Sequence, residues 1–317
     1  MKILVFIQQE NGQINRISQE TLVGAQKLTE DTSGELTALA FGTLPGILTG
    51  AKLDRVLVVD NPELSKYSPL HYVAALEQVF AQIQPDVVLV AHSYEARDWL
   101  PRVSARLDLP FLADCIGYKT DPQILFVRQV YQGKINADYS FTGPLMVSLQ
   151  SGAFRSDELI AGSCSPETVT VDLSGVSDTI KPGEKFQEAK GTVDLSRATT
   201  IVAVGRGVGK EENMSLVQDL AEALDAEVGS SRPVVDYGWL PHDRQVGSSG
   251  QTVSPALYFA LGISGAVQHQ VGMKGSDHIV AINKDENAPI FEIADTGIVA
   301  DLFELLPKLT EAIKAAR

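Results

Sequence analysis

Four segments in the second half of the 317-residue chain gather residue types that could hold an anion or a heterocycle. In the first, Gly205-Arg206-Gly207-Val208-Gly209-Lys210 follows the apolar run Thr200-Ile201-Val202-Ala203-Val204 and precedes a helical pattern from about Glu211 to Asp225. Strand, glycine loop and helix in that order aim backbone amides and a helix dipole at an anion; the same string also describes an ordinary tight βα turn. It is not a Walker loop, because Glu211 and not Ser or Thr follows Lys210. A guanidinium at Arg206 would pair with phosphate or neutralise a buried carboxylate.

The second segment, Gly229-Ser230-Ser231-Arg232-Pro233, places small polar residues and an Arg directly after a strand end. That suits an anion or an aromatic ring, and equally a solvated turn. The third, Gln245-Val246-Gly247-Ser248-Ser249-Gly250-Gln251-Thr252-Val253, crowds hydroxyls and amides that could donate to a heterocycle or a phosphate. The fourth reads as a strand, Leu257 to Ile263, followed by Ser264-Gly265-Ala266-Val267-Gln268-His269, with a helix expected to begin near Ser264. A lone His after an apolar run is more often a hydrogen-bonded structural residue than a ligand, but His269 sits among four candidate ligand loops.

Other chemistries find little support. The five histidines have no i, i+4 pair and there is no CxxC, so no metal centre is expected. Two cysteines, Cys115 and Cys164, make no disulfide framework and suit a reducing compartment. Lys plus Arg number 26 against 40 Asp plus Glu, a formal charge of −14, which argues against nucleic acid or anionic lipid as the main partner. No apolar stretch approaches the roughly 20 residues of a membrane-spanning helix, and Ile3–Ile7 is too short for a signal-peptide core. A cytoplasmic protein is expected, or one of the mitochondrial matrix in a eukaryote.

The elements that must position these residues read as alternating strands and helices. Strands are expected at Ile3–Ile7, Leu36–Phe41, Arg55–Val59 and Asp86–Ala91, with helices capped by Ser18, by Ser68 before Pro69, and running from Glu95 to Leu107. Phe126–Tyr131, Leu145–Leu149 and Thr168–Leu173 read as further strands. The fold class is therefore α/β, with two doubly wound domains. The first, residues 1–190, is Rossmann-like without an obvious nucleotide site, because its first βα loop, Gln8–Asn15, holds only Gly12. The second, residues 191–317, is a parallel-sheet domain that carries the four segments, and the polar, turn-rich stretch 181–198 is the boundary. Within it Asp277–Asn283 and Pro289–Ile293 are expected strands, and a C-terminal helix runs from about Leu302 to Ala315.

Together these strips resemble the alpha subunit of electron transfer flavoprotein, the FixB type. Leu-Tyr-Phe-Ala-Leu-Gly-Ile-Ser-Gly-Ala-Val-Gln-His-Gln-Val-Gly-Met at 257–273 is the core signature. Val-Gly-Arg-Gly, Ser-Ser-Arg-Pro, Arg-Gln-Val-Gly-Ser-Ser-Gly and Gly-Ile-Val-Ala-Asp-Leu-Phe match in order and spacing. The match is strongest over about 199–315, and the N-terminal half matches only as a general α/β pattern.

The resemblance implies one FAD on the second domain and pairing with a beta subunit. It implies an electron carrier, not an enzyme with its own substrate. Such a carrier takes electrons from flavin dehydrogenases, such as acyl-CoA dehydrogenases, and passes them through a flavin semiquinone to a quinone oxidoreductase or another acceptor. Arg206, Ser231 and Arg232 are implied to contact or flank the FAD, and Gln245, Val246, Gly247, Ser248 and Ser249 to wrap the flavin. Ser264, Gly265, Ala266, Val267, Gln268 and His269 would line it, with His269 near the flavin O2. Asn283, Asp301 and Leu302 would hold the adenosine end. No residue need act as acid, base or nucleophile. Three other readings are open: an electron-bifurcating, NADH-oxidising relative with a second FAD in its beta subunit, a non-redox nucleotide-binding sensor of the same fold, and, ranked last because no candidate base is paired with a substrate pocket, a self-contained flavoenzyme.

Overall fold

The computed structural model describes residues 1–10, 12–131, 133–177, 179, 180, 183, 195 and 198–316. The chain divides into two compact units, Met1–Phe186 and Gln187–Arg317. Most of the turn-rich stretch 181–198 lies outside the described residues.

In the first unit the elements run β1 (Lys2–Ile7), β2 (Gln9–Glu10), β3 (Gln13–Ile14), α1 (Arg16–Thr32), β4 (Glu35–Phe41), β5 (Arg55–Val59), α2 (Pro69–Ile83), β6 (Val87–Ala91) and α3 (Tyr94–Leu107). They continue with β7 (Phe111–Lys119), β8 (Leu125–Val130), β9 (Ile135–Tyr139), β10 (Leu145–Leu149) and β11 (Pro166–Thr168). Nine strands form one sheet in the order β11-β5-β4-β1-β6-β10-β7-β8-β9. It is parallel up to β7, and β8 and β9 add antiparallel strands at one edge.

Strand alternation divides the core. Leu4 and Phe6 face α2 and α3, where Tyr72 and Trp99 close an edge-on aromatic cluster with Phe41. Ile3, Val5 and Ile7 face α1 through Leu22 and Leu28. Both faces are covered, which is why these strands read as continuous apolar runs.

Two local expectations fail here, and one strand lies outside all of them. Asn15, not Ser18, caps α1, accepting from the Ser18 amide at 2.8 Å; Ser18 is buried and its hydroxyl accepts from the Gln8 amide at 3.0 Å. The strand expected over Thr168–Leu173 is instead Pro166–Thr168; its pairing ends where the Val169 amide donates to the Val58 carbonyl at 2.8 Å, and Asp172 turns to Gln78. The strand β7 was not expected at all, because Asp114 and a bulge before Gly117 break its alternation.

The second unit runs β12 (Thr200–Val204), α4 (Met214–Leu224), β13 (Glu227–Ser230), α5 (Arg232–Asp236), β14 (Leu257–Leu261), α6 (Val267–Val271), β15 (Ile279–Asn283), β16 (Thr296–Val299) and α7 (Leu302–Ala316). Its sheet is wholly parallel, in the order β13-β12-β14-β15-β16. The chain goes outward from β12 to β13, then returns to the other side of β12 with β14. This reversal puts the topological switch point between the carboxyl ends of β12 and β14, where open α/β sheets leave a crevice.

One face packs Val202, Val204, Phe259 and Leu261 against Val217 and Leu220 of α4 and Leu306 of α7. The opposite face packs Ile201, Tyr258 and Ala260 under Val246, Val253 and Met273, which belong to irregular segments, and under Ile290 of a short 3-10 helix. One candidate loop is thus also a wall of the core.

Two expectations are corrected in this unit. Pro289–Glu292 is a short 3-10 helix, not a strand, with buried Ile290 as its anchor, and the fifth strand is Thr296–Val299. The helix expected from Ser264 begins only at Val267, because Gly265 takes φ +83° and Ala266 is not helical. At Gly265 an added Cβ would lie 2.2 Å from the Ile290 amide nitrogen. Gly265→Ala is therefore expected to cost about 2–4 kcal/mol in urea unfolding, from a disfavoured backbone region plus overpacking. Gly46→Ala, where nothing lies within 4 Å, should stay within about 0.5 kcal/mol.

Candidate functional site

The parallel sheet of the second unit gathers the expected residues on one edge. Arg206 follows β12, Ser231 and Arg232 follow β13, Ser264 to His269 follow β14, Asn283 ends β15, and Asp301 and Leu302 follow β16. The loop 245–251 joins them by two anchors. The Val246 amide donates to the Ser230 carbonyl at 2.8 Å, at the end of β13, and the Ser248 amide donates to the Gln268 carbonyl at 2.8 Å, in α6. Arg244 fixes the near end of this loop through Glu227 at 2.8 Å and the Val228 carbonyl at 3.0 Å.

The glycine loop after β12 commits all of its amides but that of Arg206 within the protein. Gly205 donates to the Leu261 carbonyl and Gly207 to the Gly262 carbonyl, so the β12–β14 ladder continues past the strand ends. Val208, Gly209 and Lys210 donate within the turn itself. The glycines serve a close backbone approach: a Cβ on Gly207 would lie 2.7 Å from the Gly262 Cα, and Gly262 itself has φ +59°. What the loop offers outward is the exposed side chain of Arg206, which has no ion-pair partner among the described residues.

Free donors lie instead after β14. The His269 and Gln270 amides are taken by the Ala266 carbonyl, whereas those of Ser264 to Gln268 find no backbone acceptor among the described residues. Ser264, Ala266 and Gln268 are exposed, Val267 is half-buried, and Gly265 is buried against Ile290. Gln270 fixes this turn from behind through the Gly265 carbonyl at 2.8 Å.

In the wrapping loop Gln245 and Val246 are buried, and Gly247 is buried with its amide donating to the Gln251 carbonyl at 3.1 Å. Ser248 and Ser249 are exposed. The Gln245 Nε2 donates to the Ser249 Oγ at 3.0 Å, which leaves that hydroxyl's proton to donate outward. Ser231 sits at the head of α5 without a side-chain cap bond, and the exposed Arg232 faces Asp236 at 3.5 Å.

Two residues at the implied adenosine end already have structural work. Asn283 Nδ2 donates to the Ile263 carbonyl at 2.9 Å and its Oδ1 accepts from the Asp285 amide at 3.0 Å, tying the ends of β14 and β15 together. Asp301 accepts from the Phe303 amide at 2.8 Å and so caps α7, while Leu302 is buried beneath Gly262.

His269 is buried, and its Nε2 meets the Tyr258 hydroxyl at 2.9 Å. Its Nδ1 has no well-formed hydrogen bond, and the nearby Val246 backbone only partly offsets the burial that pushes the imidazole down to about 4. His269 is thus neutral near pH 7. Tyr258 was read only as a strand residue. The signal was available: alternation turns it inward, and a hydroxyl at a buried position needs a partner.

These groups fit a dinucleotide. Unpaired amides and a free guanidinium match a diphosphate, and outward hydroxyls match a polar ring edge. No group of His, Cys, Asp and Glu fit to hold a metal occurs among the described residues, and no helix there is long and apolar enough to cross a membrane. The buried imidazole also sets a pH dependence. A folded value near 4 lies below the usual 6.5, so the unfolded chain binds the extra proton between them and stability falls as pH drops through that window. His269→Gln should flatten the loss by about 3 kcal/mol between pH 6.5 and 4, read from urea unfolding at a series of pH values.

Residues 194–274 match the family model described as electron transfer flavoprotein FAD-binding domain, and residues 3–175 match the electron transfer flavoprotein domain. Protein FixB of Clostridium saccharobutylicum is 37% identical over 98% of this chain and 96% of its own. The electron transfer flavoprotein subunit alpha of Thermoanaerobacterium thermosaccharolyticum is 37% identical, covering 98% of this chain and 97% of its own. The lactate dehydrogenase (NAD(+),ferredoxin) subunit LctC of Acetobacterium woodii is 35% identical over 98% of this chain and 77% of its own. With both units matched and relatives aligned along nearly the whole length, the chain belongs to the electron transfer flavoprotein alpha-subunit family.

Proposed function

We propose that this chain is the FAD-carrying subunit of a heterodimeric electron carrier. In this reading residues 191–317 form the FAD-binding domain, and residues 1–190 form a Rossmann-like domain without a nucleotide of its own. The observation that carries it is the carboxyl edge of the second sheet, where Arg206 and the amides of Ser264 to Gln268 are unpaired beside the switch point. The partner is a beta subunit, the donors are flavin dehydrogenases, and the acceptor is a quinone oxidoreductase or another redox protein.

When bound, FAD would supply one- and two-electron redox chemistry at its ring. The chain's own residues bind and orient it. Arg206 offers charge to the diphosphate together with the post-β14 amides. Ser249, with its oxygen held by Gln245, offers a donor to the ring edge. Val246 and the β14 turn exclude water from the ring's inner side, because Val246 and Gly265 are packed into the core. His269 contributes a neutral dipole there, not a full positive charge. Asp301 presents a carboxylate to a ribose hydroxyl with the oxygen that capping α7 leaves free.

LctC favours one variant of this reading, in which the heterodimer oxidises NADH and splits the electron pair. The name of that relative couples NAD and ferredoxin.

The chain co-purified with its beta subunit should be yellow, with one FAD per copy of this chain. Arg206→Ala should raise the FAD dissociation constant about ten- to hundredfold, the value of a charge-assisted contact. An unchanged constant removes Arg206 from the site, and a colourless heterodimer that takes up no FAD overturns the reading. Two FAD per heterodimer with NADH oxidation establishes the bifurcating variant, and one FAD without NADH oxidation excludes it.

A further inference from the structure

The second unit buries a polar pair, Tyr258 and His269, whose own hydrogen bond the proposed cofactor contacts leave unexplained. Tyr258 lies in the middle strand β14, wholly enclosed, on the face covered by Val246, Val253 and Met273. Its hydroxyl is 2.9 Å from Nε2 of His269, which stands on α6. The two rings are 6.2 Å apart, centre to centre, and tilted by 57°. The remaining ring nitrogen, Nδ1, is buried on the side of the Val246 backbone without a well-formed bond.

This arrangement has a definite proton inventory. A neutral imidazole carries one N–H and one bare nitrogen. The phenol is buried and its ionisation is pushed far up, so it keeps its proton. A phenol that donates to Nε2, the one acceptor it meets among the described residues, leaves the ring's own proton on Nδ1. The reverse tautomer would turn Nε2–H onto the phenol oxygen and leave both the phenol's proton and Nδ1 without a partner in a dry core.

The ring also stands between two pieces of the site. On one side is α6, whose Gln268 carbonyl holds the Ser248 amide at 2.8 Å. On the other is Val246, two residues before Ser248, in the loop expected to wrap the ring of the cofactor. From this geometry we infer that Tyr258 is a positioning residue: its hydroxyl fixes His269 as the Nδ1–H tautomer, and the oriented ring pins the 246–249 loop onto α6 in the shape that binds flavin. The first half concerns the chain alone, and the mention of flavin rests on the function proposed above.

The test uses the full chain with its beta subunit. Nitrogen-15 spectra of the wild type at pH 7 should show His269 with Nδ1 protonated and Nε2 bare and hydrogen-bonded. The opposite tautomer, or an imidazolium, overturns the inference without any variant. In Tyr258→Phe the ring should populate the other tautomer. The Ser248 amide should then exchange at least tenfold faster, while the amides of β12, which report the sheet itself, keep their rates. The FAD dissociation constant should rise about fivefold, the worth of one hydrogen bond. An unchanged tautomer with unchanged Ser248 exchange contradicts the clamp. A moved tautomer with an unchanged FAD constant contradicts its link to the cofactor. If the wild type binds no FAD while tautomer and exchange behave as stated, the clamp stands and the functional reading fails.

Discussion

The backbone pairing of β12 with β14 is the constraint on which the second unit depends. Five residue pairs, Thr200↔Leu257 to Val204↔Leu261, join the first strand to the third. The pairing then continues through Gly205 and Gly207, which donate to Leu261 and Gly262. Residues with Cβ atoms at 207 and 262 could not come this close. The reversal of strand order at this seam brings loops far apart in sequence to one edge, and the seam sets how near Arg206 lies to the turn after β14. The rest follows from it: Leu302 packs under Gly262, Asn283 reaches back to Ile263, and α7 starts where Asp301 can cap it.

The seam also reassigns the role of the glycines. In the sequence Gly205-Arg206-Gly207-Val208-Gly209 has the look of an anion loop, and in the fold four of its five amides, all but that of Arg206, donate within the protein. The donors lie one strand over, at Ser264 to Gln268, where Gly265 delays the helix and leaves a short run of unpaired amides. In the proposed reading, an anion at this edge would be held by two strands together, by a side chain from one and the backbone of the other.

Much of this was legible in the sequence, for identifiable reasons. Strands covered on both faces leave runs such as Ile3–Ile7 and Thr200–Val204, and the loops after them could be placed from those runs alone. The edge elements were harder. Thr296–Val299 is a largely exposed edge strand with little apolar signal, and Pro289–Glu292 mimics a strand by packing Ile290 into the core. Within the site, the order and spacing of Arg206, Ser231, Gln245–Ser249, Ser264–His269, Asn283 and Asp301 were readable. What each side chain touches was not. The cap made by Asp301, the tie made by Asn283 and the Tyr258–His269 contact depend on registers between strands, and register is a property of the sheet, not of any one segment.

The central claim is that FAD lies along the carboxyl edge of the second sheet. Hydrogen exchange of the chain with its beta subunit, read by mass spectrometry with and without FAD, tests it most directly. The account predicts protection in three separate segments, 245–251, 262–270 and 300–303, with no matching change at the carboxyl ends of β1 and β6 in the first unit. Protection confined to those first-unit loops, or none in the second unit when FAD is bound, would contradict it.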